Sequence, residues 1–351
     1  MESARDRDFR RLTARELGMR RARARRMRNL AFLVMVSGCA ASAADTEAID
    51  GGKADSDYNV VWDAGIPNIV PERVHDYLER YQWGDYHIVF HMSRKWFLLG
   101  DPGRDWLAST GEQSADLQEG DPGNGIEFLA MHRAMIEHLT ERWGDEPVAG
   151  DPDGRTTFAD VLAGWRTDDE ARRGLAAAGG DVARFDAGLG MLHDTAALSS
   201  EDDFGRYLQT TLELTGELDP ADPAHRFYER DDRPGAGVHN WLHGQLADPE
   251  SPIDVGNPQT NLSNILFWRI HGWIEATWRS YERVHVRTAD EQTAVDRQLD
   301  RFRLHMQLHS DFVDHHHPVP RPPDDVVDDV APAIFDIDCT RLTPGTMVAG
   351  C

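Results

Sequence analysis

His239 and His243 stand four residues apart in Val238-His239-Asn240-Trp241-Leu242-His243, and His271 follows in Phe267-Trp268-Arg269-Ile270-His271. Residues i and i+4 of an α-helix share a face, so the first two imidazoles point at one place. A third imidazole from a neighbouring helix makes three nitrogen ligands with an open position, a set that suits copper, zinc or iron. The first half of the chain repeats the arrangement, with His87 and His91 four apart and His132 in Phe128-Leu129-Ala130-Met131-His132. Two sets of three histidines predict two metal ions.

Apolar spacing predicts the helices that must carry these side chains. Pro71 to about Leu99 has Val74, Tyr77, Leu78, Tyr81, Ile88, Val89 and Phe90 at helical intervals, with a break expected at Gly84; its second part bears His87 and His91. Ile126 to Trp143 reads as a helix around His132, stopped at Gly144. Gly235 and Gly237 lead into the helix of His239 and His243, and a loop with Pro249, Pro252 and Pro258 follows. The stretch from about Leu262 to Arg283 is apolar on several faces, which predicts a deeply buried helix with His271 at its centre. Another helix is expected from about Glu291 to Val313. Gly100 to Gly125 reads as a loop. Asp145 to Arg230 reads as a covering excursion with short helices at Phe158 to Trp165 and Phe204 to Thr215, and residues 321–351 as an irregular tail. No solenoid repeat and no dominant strand alternation is present. The expected fold is mainly α, with a four-helix-bundle core holding a dinuclear metal site and long irregular loops, because bundle cores commonly house metals; the metal is copper by the resemblance that follows.

The histidine segments resemble the type 3 dicopper family of tyrosinases, catechol oxidases, prophenoloxidases and haemocyanins. The likeness is clearest in His-Asn-x-x-His at His239, Asn240 and His243, and in Phe-Trp-x-x-His-x-x-Ile-Glu-x-x-Trp from Phe267 to Trp278. Phe128 to Arg133 is similar to the family segment bearing the third ligand of the first copper. The resemblance implies that His87, His91 and His132 hold one copper ion and His239, His243 and His271 the other. It also implies that O2 binds between them and that a small phenolic substrate, a phenol or an o-diphenol, is oxidised to an o-quinone. Tyrosinases usually supply a loop histidine upstream of the position of His132, where this chain has Gly123 and Asn124. The arthropod haemocyanin and prophenoloxidase pattern places His-x-x-x-His on the earlier helix instead, as His87 and His91 do.

In the family, an Asn after a ligand acts with an upstream Glu to hold a water that deprotonates a monophenol. The resemblance assigns these roles to Asn240 and to Glu229, ten residues before His239; a solvated loop carboxylate is the other reading of Glu229. Glu275, one turn after His271, either orients an imidazole or forms a helix salt bridge. Phe90, Trp241, Phe267 and Trp273 either stack on a substrate ring or pack the core. His305, His309 and the triplet His315 to His317 read as a solvated helix end and loop, and His75, His138, His193, His225 and His285 as surface or capping residues. Two alternatives to an oxidase stay open: a protein with the same dicopper core that binds O2 or copper without turnover, and a single metal at the second set.

The 351 residues and their 40% hydrophobic content are enough for a sizeable core. The net charge of −24 is uneven: residues 1–38 hold 11 Arg against 4 acidic groups, which leaves 26 basic against 57 acidic groups in the rest. That acidic body would be repelled by nucleic acid, which excludes a polynucleotide partner. The Arg-rich run ends at Arg28, Leu30 to Val36 is a short apolar core, and Val36-Ser37-Gly38-Cys39 resembles a bacterial lipobox. The reading is a signal at 1–38, a lipid anchor at Cys39 as the sole membrane contact, a flexible tether at 39–58 and a dicopper domain at 59–320. Met19 and Met27 are alternative starts, and an upstream extension with an ordinary signal peptide is the alternative to the anchor. Either way the protein is expected to be exported, anchored to the cell envelope or secreted, with Cys339 and Cys351 placed to close a disulfide.

Overall fold

Residues 60–149, 155–194, 196–216, 226–315, 319–335, 339–343 and 345–351 are described in a computed structural model. By its contacts the chain divides into Met1–Asp55, which lies outside the described residues, and Ser56–Cys351. The signal, the lipobox with Cys39 and the tether therefore lie outside what the structure describes. No described helix is long and apolar enough to cross a membrane.

The expected mainly helical fold is observed, with a small three-stranded sheet added. Its centre is the helix Asn124–Trp143, numbered α4 below, on which every side chain from Asn124 to Ile136 is buried. One partner is α8 (Glu201–Gln209). A Cβ on Gly125 would lie 2.1 Å from the Asp202 carbonyl oxygen, and one on Gly205 would lie 2.3 Å from that of Gly125, so the close crossing requires both glycines. The long α11 (Ala289–His315) covers another face of α4 through Leu299, Phe302 and Met306. Helix α10 (Ile265–Glu282) buries Trp268, Trp273 and Trp278, each 1% exposed. Burying an aromatic side chain of this size contributes roughly 2–3 kcal/mol.

The expected helix from Pro71 to Leu99 is broken into α1 (Glu72–Arg80) and α2 (Trp83–Arg94). The break falls at Gln82, whose φ of +52° cannot continue a right-handed helix, and not at Gly84. Gly84 serves packing instead, since a Cβ there would lie 2.0 Å from the Gln259 carbonyl oxygen. Gly100 to Gly125 is not wholly loop: Asp101–Ser109 forms α3, started by Gly100 with Pro102 in its first turn, where its missing N–H costs nothing. In the covering region α5 (Phe158–Leu162), α6 (Asp168–Ala177) and α7 (Val182–Leu192) precede α8. The helix expected from Phe204 to Thr215 ends at Gln209. Thr210 is extended at φ −138°, and Leu212–Leu214 becomes strand β1.

Strand β1 pairs antiparallel with β2 (Arg226–Arg230), and β2 pairs in parallel with β3 (Thr346–Val348). Strand β3 and α12 (Asp324–Phe335) overturn the expected irregular tail. Val326, Val330, Ala333 and Ile334 recur at helical intervals and are buried in a second core with Phe97, Leu98, Leu99 and Leu107. Cys351 is disulfide-bonded; the side chain of Cys339 lies outside the described residues.

Candidate metal centre

Four helices deliver the six histidines: α2 carries His87 and His91, α4 carries His132, α9 (Val238–Gln245) carries His239 and His243, and α10 carries His271. Helix α9 starts from Gly237 at φ +71°, and α10 starts at Asn264, whose side chain accepts from the Leu266 N–H. All six rings are buried, from 5% exposure at His87 to 1% at His239, His243 and His271.

Ring centroids of His87 and His91 are 4.7 Å apart, and those of His239 lie 4.7 Å from His243 and 5.0 Å from His271. His132 lies between the sets, stacked on His271 at 4.2 Å. Among the described residues, two groups have ligand atoms within 4.8 Å of one another: His87, His91 and His132, and His132, His239 and His271. His132 belongs to both. His243 is outside the second group at that distance, although its ring lies 5.4 Å from that of His271.

Hydrogen bonds define which nitrogen points inward in five of the six rings. Nδ1 donates to the Pro258 carbonyl from His87 (3.1 Å), to Phe128 from His132 (2.8 Å), to Val255 from His243 (2.9 Å) and to Phe267 from His271 (2.8 Å). A carbonyl only accepts, so each Nδ1 bears hydrogen and each neutral ring presents an Nε2 lone pair. His239 Nδ1 donates to Asn240 Oδ1 at 2.9 Å. Burial keeps the rings neutral: His87 is lowered to about 4 and His243 to about 3, and His91, His132, His239 and His271 fall well below the usual histidine range.

This arrangement fits a metal ion. Nε2 of His239 and Nε2 of His271 face each other at 3.1 Å, and with both Nδ1 atoms protonated neither has a hydrogen to donate. Two buried lone pairs in contact repel, and a cation between them turns the contact into coordination. His132 Nε2 is buried with no hydrogen-bond partner. A donor set of neutral imidazoles without thiolate or carboxylate suits a late first-row metal.

Asn240 is buried beneath His239, and its Nδ2 faces Glu119 Oε1 at 3.4 Å. Glu229, the acid expected to act with it, is exposed on β2 beside Arg230 and lines a surface cleft with Arg206, Asp231 and Arg233. The strand directs it to solvent because its neighbour Tyr228 takes the inward position, and alternate residues of a strand face opposite ways. The structure brings Glu119 to Asn240 instead. Glu119 is 1% exposed and is held by Lys95 Nζ at 3.0 Å and Gln209 Nε2 at 3.1 Å. Lys95 also donates to the Ile334 carbonyl of α12. One signal pointed here: Lys53 and Lys95 are the only lysines in a chain that otherwise uses arginine.

Glu275 forms ion pairs with two arginines. It accepts from Arg133 Nε at 2.8 Å and from Arg279, while Arg133 lies 3.4 Å over the Trp278 ring, so the residues after His132 and His271 tie α4 to α10. Burial raises the Glu275 carboxyl and Arg133 opposes that rise. Phe267 stacks on His271 at 4.0 Å and meets the edge of His87 at 5.2 Å; Phe90 lies 5.3 Å from His91, and Trp241 and Trp273 pack in the core.

Three of the remaining histidines are not solvated as expected. His309 is 2% exposed because α11 lays it against Trp83 and Tyr86 of α2, and its Nε2 donates to the Tyr81 carbonyl in the turn before that helix at 2.7 Å. His75 is equally buried, with neither ring nitrogen hydrogen-bonded and Asp76 Oδ1 3.8 Å from Nδ1, and His138 is half-buried against Tyr77. His193 pairs with Asp168 and His285 with Glu291, while His305 is exposed. His225, His316 and His317, and the side chain of His315, lie outside the described residues. No protein-family model and no curated protein matches this chain.

Proposed function

We propose that the chain is a copper-dependent oxidase of tyrosinase or catechol oxidase type, with α2, α4, α9 and α10 as the four-helix core around two copper ions. Bound there, the pair would bind O2 and oxidise a phenol or o-diphenol to an o-quinone. His87, His91 and His132 are assigned to one ion and His239, His243 and His271 to the other. The observation that carries the reading is the convergence of buried, neutral Nε2 atoms, above all the facing lone pairs of His239 and His271.

Asn240 orients His239 through Nδ1 and presents its amide to Glu119. Glu119 therefore takes the role first assigned to Glu229, that of the carboxylate beside Asn240 that holds a water for deprotonating a phenol. Phe267, against rings of both sets, shields them from bulk water. The test loads purified protein with copper and measures metal per chain, the charge-transfer absorption that appears with O2, and o-diphenol turnover. Two coppers with both optical change and turnover are expected; absence of all three would sink the proposal.

Burial supports a second reading. With no ligand histidine more than 5% exposed, the same core would bind O2 or copper without admitting a phenol. The oxygen-dependent absorption would then appear without turnover. A single shared ion is the third case, suggested by the presence of His132 in both groups, and the copper count decides it.

A further inference from the structure

One turn before His87 on α2 lies Trp83, on the same helix face and 3% exposed. Aromatic rings continue from it away from the six histidines. The Trp83 ring lies 6.0 Å from Tyr77, and Tyr77 lies 5.6 Å from Trp143, the half-buried last residue of α4. Tyr77 is itself buried, and its hydroxyl stands 2.7 Å from Nε2 of His138, with Ser310 Oγ at 3.2 Å on the other side.

Indole and phenol are among the side chains that lose an electron most readily. A phenol oxidised by one electron becomes a very strong acid, so its oxidation is easy only where a base stands ready for the proton. His138 is such a base: burial lowers its pKa, so at neutral pH Nε2 keeps a lone pair to accept from Tyr77. The guanidinium of Arg142 lies 4.9 Å over the Tyr77 ring. A cation there disfavours a charged tyrosine radical, and because it disfavours a protonated His138 as well, the proton transfer rests on the 2.7 Å hydrogen bond between Tyr77 and His138.

We propose that Trp83, Tyr77 and His138 form a relay that carries oxidising equivalents from the histidine centre to the surface at Trp143. The relay rests on the reading that this centre performs oxidative chemistry. An oxidising equivalent arising among the six histidines takes one electron from Trp83. The Trp83 radical cation takes one electron from Tyr77, whose hydroxyl proton passes to His138 Nε2. A small one-electron reductant of the thiol or enediol class then returns an electron by way of Trp143, and the proton goes back from His138 to the Tyr77 oxygen. The net change is one electron delivered inward and one molecule of reductant oxidised. The relay spares the ligand histidines from damage when no phenol is bound.

The outer half is tested without copper. The full chain, freed of metal, is oxidised by flash photolysis of a ruthenium polypyridyl sensitiser with an irreversible electron acceptor, and radicals are followed by absorption and electron paramagnetic resonance. The wild type should give a neutral tyrosyl radical that forms more slowly in D2O. Tyr77→Phe should remove the greater part of that signal and leave tryptophan radical, and His138→Gln should slow its formation. An unchanged tyrosyl yield in Tyr77→Phe, or a rate indifferent to both D2O and His138→Gln, would overturn the relay. The inner half is read on copper-loaded protein exposed to O2 and ascorbate, with oxidised residues mapped by peptide mass spectrometry. Trp83→Phe should shift oxidation onto the peptides of His87 and His91, and an identical map in wild type and variant would overturn the inward step. Because the flash experiment needs no copper, a failed copper count would sink the proposed function and leave the flash result standing.

Discussion

Removing the charge of Lys95 tests whether the buried pair with Glu119 is built as described. Lys95 is 2% exposed and Glu119 1%, with Nζ and Oε1 3.0 Å apart. Lys95→Met keeps the aliphatic stem and leaves a carboxylate in the interior with two neutral donors, Gln209 Nε2 at 3.1 Å and Asn240 Nδ2 at 3.4 Å. Breaking a buried pair from one side costs about 3–5 kcal/mol, because the surviving charge remains desolvated. The two amide donors offset part of this, so we expect about 3 kcal/mol. Glu119→Gln should cost a similar amount, since the buried ammonium then has only neutral acceptors, the Ile334 carbonyl and the new amide oxygen. The double variant Lys95→Met/Glu119→Gln removes both charges; the new amide oxygen accepts from Asn240 Nδ2, and Gln209, whose Oε1 has no hydrogen-bond partner, turns its amide to accept from the new NH2. It should cost less than either single change. The assay is urea unfolding of the three variants, read as midpoint shifts at constant slope. Single costs that add in the double variant to within about 0.5 kcal/mol would refute the coupling.

His132 belongs to both histidine groups, so His132→Ala should release more metal than His91→Ala, measured as metal per chain after dialysis; equal loss would count against a shared, central His132. Asn240→Leu removes the acceptor that orients His239, and metal affinity in competition with a chelator should fall about 10–100-fold with stoichiometry retained; unchanged affinity would contradict that role. Metal-free protein should lose stability as pH falls from 6.5 toward 4. His87 is lowered from 6.5 to about 4, so the unfolded chain takes up its proton first, and this ring alone withdraws roughly 3 kcal/mol across that window. Asp85, raised to about 7 by burial, and Glu275, also raised, act in the opposite sense, but they are two groups against six histidines; a melting temperature that stays level or rises on acidification would refute the sign. Glu229→Ala should leave diphenol turnover unchanged because Glu229 is exposed on β2, and a large loss would return it to the site.

Helical spacing made most of the scaffold legible in the sequence. Helices α4, α10 and α11 lie within a few residues of where apolar periodicity put them, because each buries a continuous face and periodicity reports burial. Short elements were less legible. Helix α3 begins among Gly, Asp and Pro, and β1 is three residues long, so neither leaves a periodic pattern to read. Helix α12 did leave one in Val326, Val330, Ala333 and Ile334, but it lies between a Pro-rich stretch and the C-terminus, where an irregular tail was expected.

The sequence by itself determined the candidate ligand types and their pairing along helices: a four-residue interval places His87 with His91 and His239 with His243 on shared faces wherever those helices lie. Tertiary structure alone decided what each imidazole faces. The carbonyls of Pro258 and Val255 come from one loop, reach one ring on α2 and one on α9, and settle two tautomers that no local pattern encodes. It also decided which acid faces Asn240. Glu119 and Glu229 are both acids in loop-like sequence upstream of His239, and the choice between them depends on chain packing 121 residues from Asn240, where Lys95 neutralises one of them in the interior. Local sequence specifies the face on which a side chain stands, whereas a buried charge is placed by the partners that the whole fold brings to it.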